Sequence, residues 1–383
     1  MNFEFATASE IVFGWGRAAE LGKRARRFGR RALLITGAHR ERIQPVRELI
    51  EAAGVACHGM SVVGEPTVDD ATRGANQARE VDAELVIAIG GGSVLDAGKA
   101  IAALIANPGP VTDYLEVVGL GRPLALASLP LLAVPTTAGT GSEVTRNAVL
   151  KVVEKRLKVS LRGLSMLPRL ALVDPELTVT LPANVTAATG LDALTQVIEP
   201  YISKARGPLT DALCLEGIRR AARSLRVVFT DGANREGRED LALTSLFGGL
   251  ALANAKLGAV HGFAAPLGGY TDAAHGALCA RLLPEVMLAN LEAARAERNS
   301  DVLDRLTTVA TLLTSDNSAP PEAGIEWLAQ LVEDLRVPRL AALGVRGEDV
   351  PALVDQARNA SSMKGNPFEL SLERLTQIVE RAM

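Results

Sequence analysis

The sequence predicts an α/β N-terminal domain built on a parallel sheet, followed by an all-α C-terminal domain. Three observations carry this. Short apolar runs alternate with amphipathic segments over the first half of the chain. The runs cease near residue 180, where long helical periodicities take over. One of the early runs leads straight into a glycine turn that opens a helix. At 383 residues the chain is long enough for two domains, each with its own core.

The early runs lie at 32–36, 85–89, 131–134 and 170–174. They are rich in Leu, Val and Ile and do not alternate with polar residues, as expected of strands buried on both faces. Helix-like segments at 42–53 and 68–80 lie between them, so the strands run parallel and any ligand belongs at their carboxyl ends. From about residue 181 the helical segments are 184–203, 209–229, 236–256, 275–297 and 302–313, with more to the C-terminus. Pro175 and Pro182 flank the change. The expected domains are therefore 1–178 and 179–383. A segment near 3–13 reads as an edge strand able to pair across a two-fold axis.

Composition narrows the partners. A net charge of −3 offers no basic surface for nucleic acid or for an anionic membrane. The longest uncharged stretch, between Arg122 and Glu143, is broken by Pro123, Pro130 and Pro135 and is no membrane span. Three scattered cysteines, Cys57, Cys214 and Cys279, make no disulfide framework and fit a reducing compartment. Each reads as a buried small hydrophobe. The N-terminus has no signal-peptide pattern, and the expectation is a cytoplasmic protein.

The strand at 85–89 runs directly into Gly90-Gly91-Gly92-Ser93, and a helix begins at once. Glycines there let the backbone approach a phosphate and take positive φ, while the helix N-terminus favours an anion. Ser93 is expected to cap the helix and to donate to a phosphate oxygen. A second small, hydroxyl-rich segment, 135–143, follows the strand at 131–134 and supplies Thr136, Thr137, Thr140 and Ser142. Two such rims on one sheet edge suit a dinucleotide. No GxGxxG pattern follows the first strand, so the nucleotide is held in another way.

Four motifs, in order, are GGGSVLDAGK at 90–99, PTTAGTGSEVT at 135–145, TGLDALTQVIEPY at 189–201 and VHGFAAPLGGYTDAAHG at 260–276. Together they resemble the iron-containing (group III) alcohol dehydrogenase family, related to glycerol dehydrogenase, maleylacetate reductase and dehydroquinate synthase. The resemblance spans nearly the whole chain. It implies a homodimer with its active site in the cleft between an α/β and a helical domain. The reaction it implies is hydride transfer between nicotinamide and the carbonyl of a small alcohol, aldehyde or keto acid. It also implies NAD(P)H binding at Gly91, Gly92, Ser93, Asp96, Thr136, Thr137, Thr140, Ser142 and Lys158. Relatives that select NAD carry Asp at the end of the first strand. Here Gly37-Ala38-His39-Arg40 has no carboxylate, Gly37 leaves room, and Arg40 or His39 can pair with a 2′-phosphate, so NADP is expected to be accepted or preferred.

In that family one Asp and three His bind a divalent metal. Asp192, His261 and His275 match three of these positions, and Gln196 stands where the family usually has His. The other histidines, His39 and His58, lie in the nucleotide half. A neutral amide is a poorer ligand than imidazole for Fe²⁺ or Zn²⁺. Ala265 departs from a histidine that many relatives carry and that is often assigned to proton relay. The main reading is a metal that polarises the carbonyl, held by Asp192, Gln196, His261 and His275. The alternatives are a metal-free enzyme of the maleylacetate reductase kind, in which His261 or His275 is the acid, and a non-catalytic NAD(P)H-binding relative. A lyase of the dehydroquinate synthase kind would need a cluster of basic residues that the helical half does not show near its ligand motifs. Lys256 and Lys364 are the candidates for pairing with an anionic substrate.

Overall fold

The computed structural model describes residues 2–155, 157–271 and 273–383. The chain divides into two compact units. One is α/β, Ala6–Thr137 with Gly141–Thr178. The other is helical and comprises Val179–Met383, Ala138–Thr140 and the N-terminal stretch to Phe5.

The α/β unit holds a six-stranded sheet, all parallel, in the order β1-β8-β5-β4-β2-β3. The strands are β1 (Ile11–Phe13), β2 (Arg31–Thr36), β3 (Ala56–Ser61), β4 (Leu85–Gly90), β5 (Leu131–Pro135) and β8 (Leu170–Val173). Side chains alternate between two apolar layers. Leu34, Ile87, Ile89, Leu132 and Val134 pack with Leu21 of α1 (Leu21–Ala25) and with Val46 and Ile50 of α2 (Gln44–Ala52) on one face. Leu33, Ile35, Val86, Ala88 and Ala133 pack with Leu95 and Ile101 of α4 (Gly92–Ala106) on the other. Helix α3 (Val68–Glu80) starts in a capping box between Thr67 and Asp70. An antiparallel hairpin, β6 (Asn147–Val152) and β7 (Leu157–Arg162), packs against α3 and α4.

Two of these elements were not read from sequence. β3 (ACHGMS) is a polar edge strand, and the hairpin is split by a charged turn, so neither forms an apolar run. The edge strand expected near 3–13 is the three-residue β1, paired with β8.

The helical unit is built on α5 (Ala183–Ile202), whose residues from Gly190 to Ile202 are all buried. Around it lie α6 (Pro208–Thr230), α7 (Arg235–Asn254), α8 (Ala259–Tyr270) and α9 (His275–Ala296), which share one large apolar core with the later helices. Glycine permits the closest approach. A Cβ on Gly276 would stand 2.1 Å from the Ala188 carbonyl oxygen, so the first turn of α9 is pressed against α5. Among the described residues no single helix is long and apolar enough to cross a membrane.

Candidate active site

In the α/β unit the strand order reverses between β2 and β4, the point where open sheets of this type bind ligands. Thr36 is in register with Ile89, and Gly90 with Pro135. Three chain segments therefore leave the sheet side by side: Gly37, the turn Gly91–Ser93, and the stretch beginning Thr136-Thr137. The Thr136 amide donates to the Gly90 carbonyl at 2.9 Å. A Cβ on Gly37 would meet only Val94, at 3.9 Å, so space beside the end of β2 is open.

Two local expectations are corrected. Gly91, with φ −75° and ψ −177°, is the N-cap of α4, and Ser93 lies inside the first turn without a side-chain cap bond. The helix starts earlier than expected because a glycine can cap without a side chain. None of Gly90, Gly91 or Gly92 takes positive φ; the left-handed glycine is Gly141, at φ 58°, in the second rim. Gly90 is needed for closeness instead: a Cβ there would lie 2.6 Å from Val94.

Asp96 and Ser142 are brought together. The Ser142 hydroxyl donates to Asp96 Oδ1 at 2.5 Å, the Val149 amide donates to Oδ2 at 2.9 Å, and Lys99 Nζ lies 2.9 Å from Oδ1. Lys99 is buried and also donates to the Thr145 hydroxyl at 2.8 Å. Burial draws its ammonium below the usual range against the pull of Asp96. Glu143 is buried in the same region, and loss of water pushes its carboxyl up to about 7. Lys158 pairs with Glu65 at 3.0 Å. Arg40 Nε donates to the Ser61 hydroxyl at 2.5 Å, and that hydroxyl donates to the Gly37 carbonyl at 3.3 Å, so the guanidinium is tethered beside the open end of β2.

In the helical unit, Asp192, His261, His275 and Cys279 converge, each offering one donor atom within 4.8 Å of the others. Asp192 is buried at the middle of α5. His261 stands on the first turn of α8, and α9 presents His275 and, one turn later, Cys279. His261 Nε2 is 3.3 Å and His275 Nε2 3.9 Å from Asp192 Oδ1. The Cys279 thiol is 3.6 Å from His275 Nε2 and 3.8 Å from His261 Nε2. None of these contacts gives Asp192 Oδ1 an aligned hydrogen bond, so it is a buried carboxylate oxygen without a hydrogen-bond partner. Burial opposes ionisation of Cys279, yet His275 and then His261 bring its thiol below the usual range.

Glu199, one further turn pair along α5, holds the arrangement. Its Oε2 lies 2.6 Å from His261 Nδ1, and its Oε1 accepts from the Val260 amide at 2.7 Å. This contact sets the ring so that Nδ1 meets Glu199 and the Nε2 edge faces the cluster. Gln196 is also buried on α5, but its Nε2 donates to the Gly139 carbonyl at 2.8 Å. Lys256 and Lys364 are both exposed, on adjoining backbone: a Cβ on Gly365 would lie 2.5 Å from Lys256 Cβ.

Sequence reasoning missed Cys279 and Glu199. The signal was helical spacing, Cys279 four after His275 and Glu199 seven after Asp192, which puts each on its neighbour's face.

The model of the iron-containing alcohol dehydrogenases matches residues 8–175, and the C-terminal model of the same family matches residues 186–383. The chain belongs to the iron-containing alcohol dehydrogenase family. It is 34% identical over 392 residues to a 1,3-propanediol dehydrogenase of Klebsiella pneumoniae, covering 99% of this chain and 98% of that one. A solved 1,3-propanediol oxidoreductase superposes with a TM-score of 0.93 at 31% identity, with all of both chains covered. The sulfoacetaldehyde reductase of Bifidobacterium kashiwanohense, solved with NAD⁺, superposes with a TM-score of 0.86 at 27% identity, covering 99% of this chain and 98% of that one. The protein is thus an oxidoreductase of the alcohol dehydrogenase type, from a family that uses NAD(P) and a divalent metal.

Proposed function

We propose that this chain interconverts a small alcohol and its carbonyl compound by hydride transfer with NADP(H) or NAD(H), at a divalent metal held by Asp192, His261 and His275. The observation that carries it is the orphaned, buried Oδ1 of Asp192 facing two imidazoles. A buried carboxylate oxygen without a donor is costly unless a cation completes it. The donor set of carboxylate oxygen and imidazole nitrogen suits Fe²⁺ or Zn²⁺. A bound ion would supply a Lewis acid that polarises the substrate oxygen. Glu199 keeps the His261 ring turned so that Nε2 faces the site.

The nucleotide would lie on Gly91, Gly92 and Ser93, where the start of α4 favours its pyrophosphate. Thr136, Thr137, Thr140 and Lys158 are its further contacts, and Asp96 acts by holding Ser142 and β6 in place. The open space at Gly37 and the tethered Arg40 favour a 2′-phosphate. Lys256 and Lys364 favour an anionic carbonyl; one structural relative is named for sulfoacetaldehyde, an anionic aldehyde. We place the enzyme in the cytoplasm, in keeping with three free thiols among the described residues. The proposed assembly is a homodimer, for which the edge strand β1 offers a pairing surface.

The test is oxidation of NADPH and NADH over short neutral and acidic carbonyls, with metal-free protein reconstituted with Fe²⁺ or Zn²⁺. Turnover that depends on added metal, with NADPH at least as good as NADH, is expected. No turnover with either metal would overturn the activity. A much higher kcat/KM with NADH would overturn the cofactor assignment alone.

A further inference from the structure

We infer that Cys279 is the fourth protein donor of the metal centre, a thiolate in place of the imidazole that Gln196 does not provide. The inference rests on the reading of this cluster as a metal site and adds its composition. The distances suit one ion, and with four protein donors the substrate oxygen would have to enter as a fifth ligand, an expansion that catalytic zinc allows. Zinc bonds of about 2.0 Å to nitrogen or oxygen and about 2.3 Å to sulfur require donor–donor separations of roughly 3.3–3.7 Å in a tetrahedron. Of the six separations among Asp192 Oδ1, His261 Nε2, His275 Nε2 and Cys279 Sγ, four are 3.3, 3.6, 3.8 and 3.9 Å, the two longest just above that range, and all six lie within 4.8 Å. Gln196 donates its Nε2 to the Gly139 carbonyl, which gives that side chain a structural task, and its remaining neutral amide oxygen is a weaker donor than a thiolate.

The backbone fixes this choice. Gly276 lets α9 approach α5 more closely than any residue with a Cβ would, and the same turn carries His275 and Cys279 to Asp192. Charge agrees as well. One carboxylate and one thiolate balance a divalent ion, with the two imidazoles neutral. A sulfur donor also changes which metal is favoured. Thiolate and imidazole together select Zn²⁺, whereas Fe²⁺ is held better by harder sets. A thiolate donor would therefore widen the preference for Zn²⁺ over Fe²⁺ beyond that of a carboxylate and imidazole set.

The experiment uses the whole protein, stripped by chelator and loaded with Co²⁺ or Zn²⁺. The Co²⁺ form should show a thiolate-to-cobalt charge-transfer band in the near ultraviolet. The band should vanish in Cys279→Ser and persist in a Cys57→Ser, Cys214→Ser double variant. Because Cys279→Ser can misfold, the wild-type Zn²⁺ form is examined as well. Its zinc-edge X-ray absorption should show one sulfur at about 2.3 Å, and competition should favour Zn²⁺ over Fe²⁺ at least tenfold. A stoichiometric ion with nitrogen and oxygen neighbours only would overturn this inference and leave the metal-dependent activity standing. Protein that binds no divalent ion would overturn both.

Discussion

Asp96 and Asp192 sit in helices of the two units, both little exposed, and they meet opposite fates. Every oxygen of Asp96 is used: a hydroxyl, an amide and an ammonium converge on it. Asp192 keeps one buried oxygen without a hydrogen bond, next to three other donor atoms. The first carboxylate is cement, tying α4 to the second rim and to the hairpin. The second has two imidazoles beside it but no hydrogen bond to its buried Oδ1, a position open to a cation. A buried charge is informative about ligands when the surrounding chain has declined to satisfy it.

Breaking the second carboxylate should have the largest effect. Asp192→Asn should lose tightly held metal and lower kcat/KM by on the order of 10³-fold, since the Lewis acid goes with it. In chelator-treated protein the same change should lower stability, because burial opposes the charge of Asp192 but His261 and His275 beside it make the fold favour its ionised form. Thermal melts of both proteins in chelator check this; an unchanged or higher melting temperature in the variant would show that the two imidazoles do not compensate the charge. Asp96→Asn should leave the metal in place. Stability should fall by about 1–3 kcal/mol as Lys99 and Ser142 lose their partner. KM for the nicotinamide cofactor should rise while metal content stays constant, measured by denaturant melts, kinetics and elemental analysis.

The smallest effect sharpens the α/β side. Glu143, at about 7 when folded against 4.5 ordinarily, keeps its proton over a range where the unfolded chain releases it. Stability should therefore fall as pH rises from about 4.5 to about 7, and level off above. The full difference corresponds to at most about 3 kcal/mol. Glu143→Gln should flatten that slope. Unchanged pH dependence of the melting temperature between pH 5 and 8 would show that Glu143 is ionised in the fold.

The sheet and the long helices were legible because burial on both faces writes continuous apolar runs and because helical period persists over 20 residues. Segment 68–80, read from its helical pattern, coincides with α3, whose start the structure shows to be a capping box. Strand β3 was not legible because it forms no run of Leu, Val and Ile, and of the hairpin only Val159-Ser160 read as strand-like, since its strands alternate instead of forming continuous apolar runs. At the site, Gly91–Ser93 and Asp192, His261 and His275 were found by motif. Cys279 was hidden because a cysteine in an apolar helix reads as packing. Only the pressing of α9 onto α5, which depends on Gly276, turns its sulfur toward the histidines. The role of Gln196 was hidden for a similar reason, its partner Gly139 lying 57 positions earlier in the chain.

That hydrogen bond has a consequence for how the sequence can change. Position 196 holds the Gly139 carbonyl and presses on Gly248, where a Cβ would come within 2.9 Å of the Gln196 side chain. Restoring histidine there would add an imidazole to a centre already supplied by Cys279 and would release Gly139 in the same step. On the proposed donor set, positions 196 and 279 are therefore coupled, and Gln196→His alone exchanges the bond to Gly139 for a surplus donor.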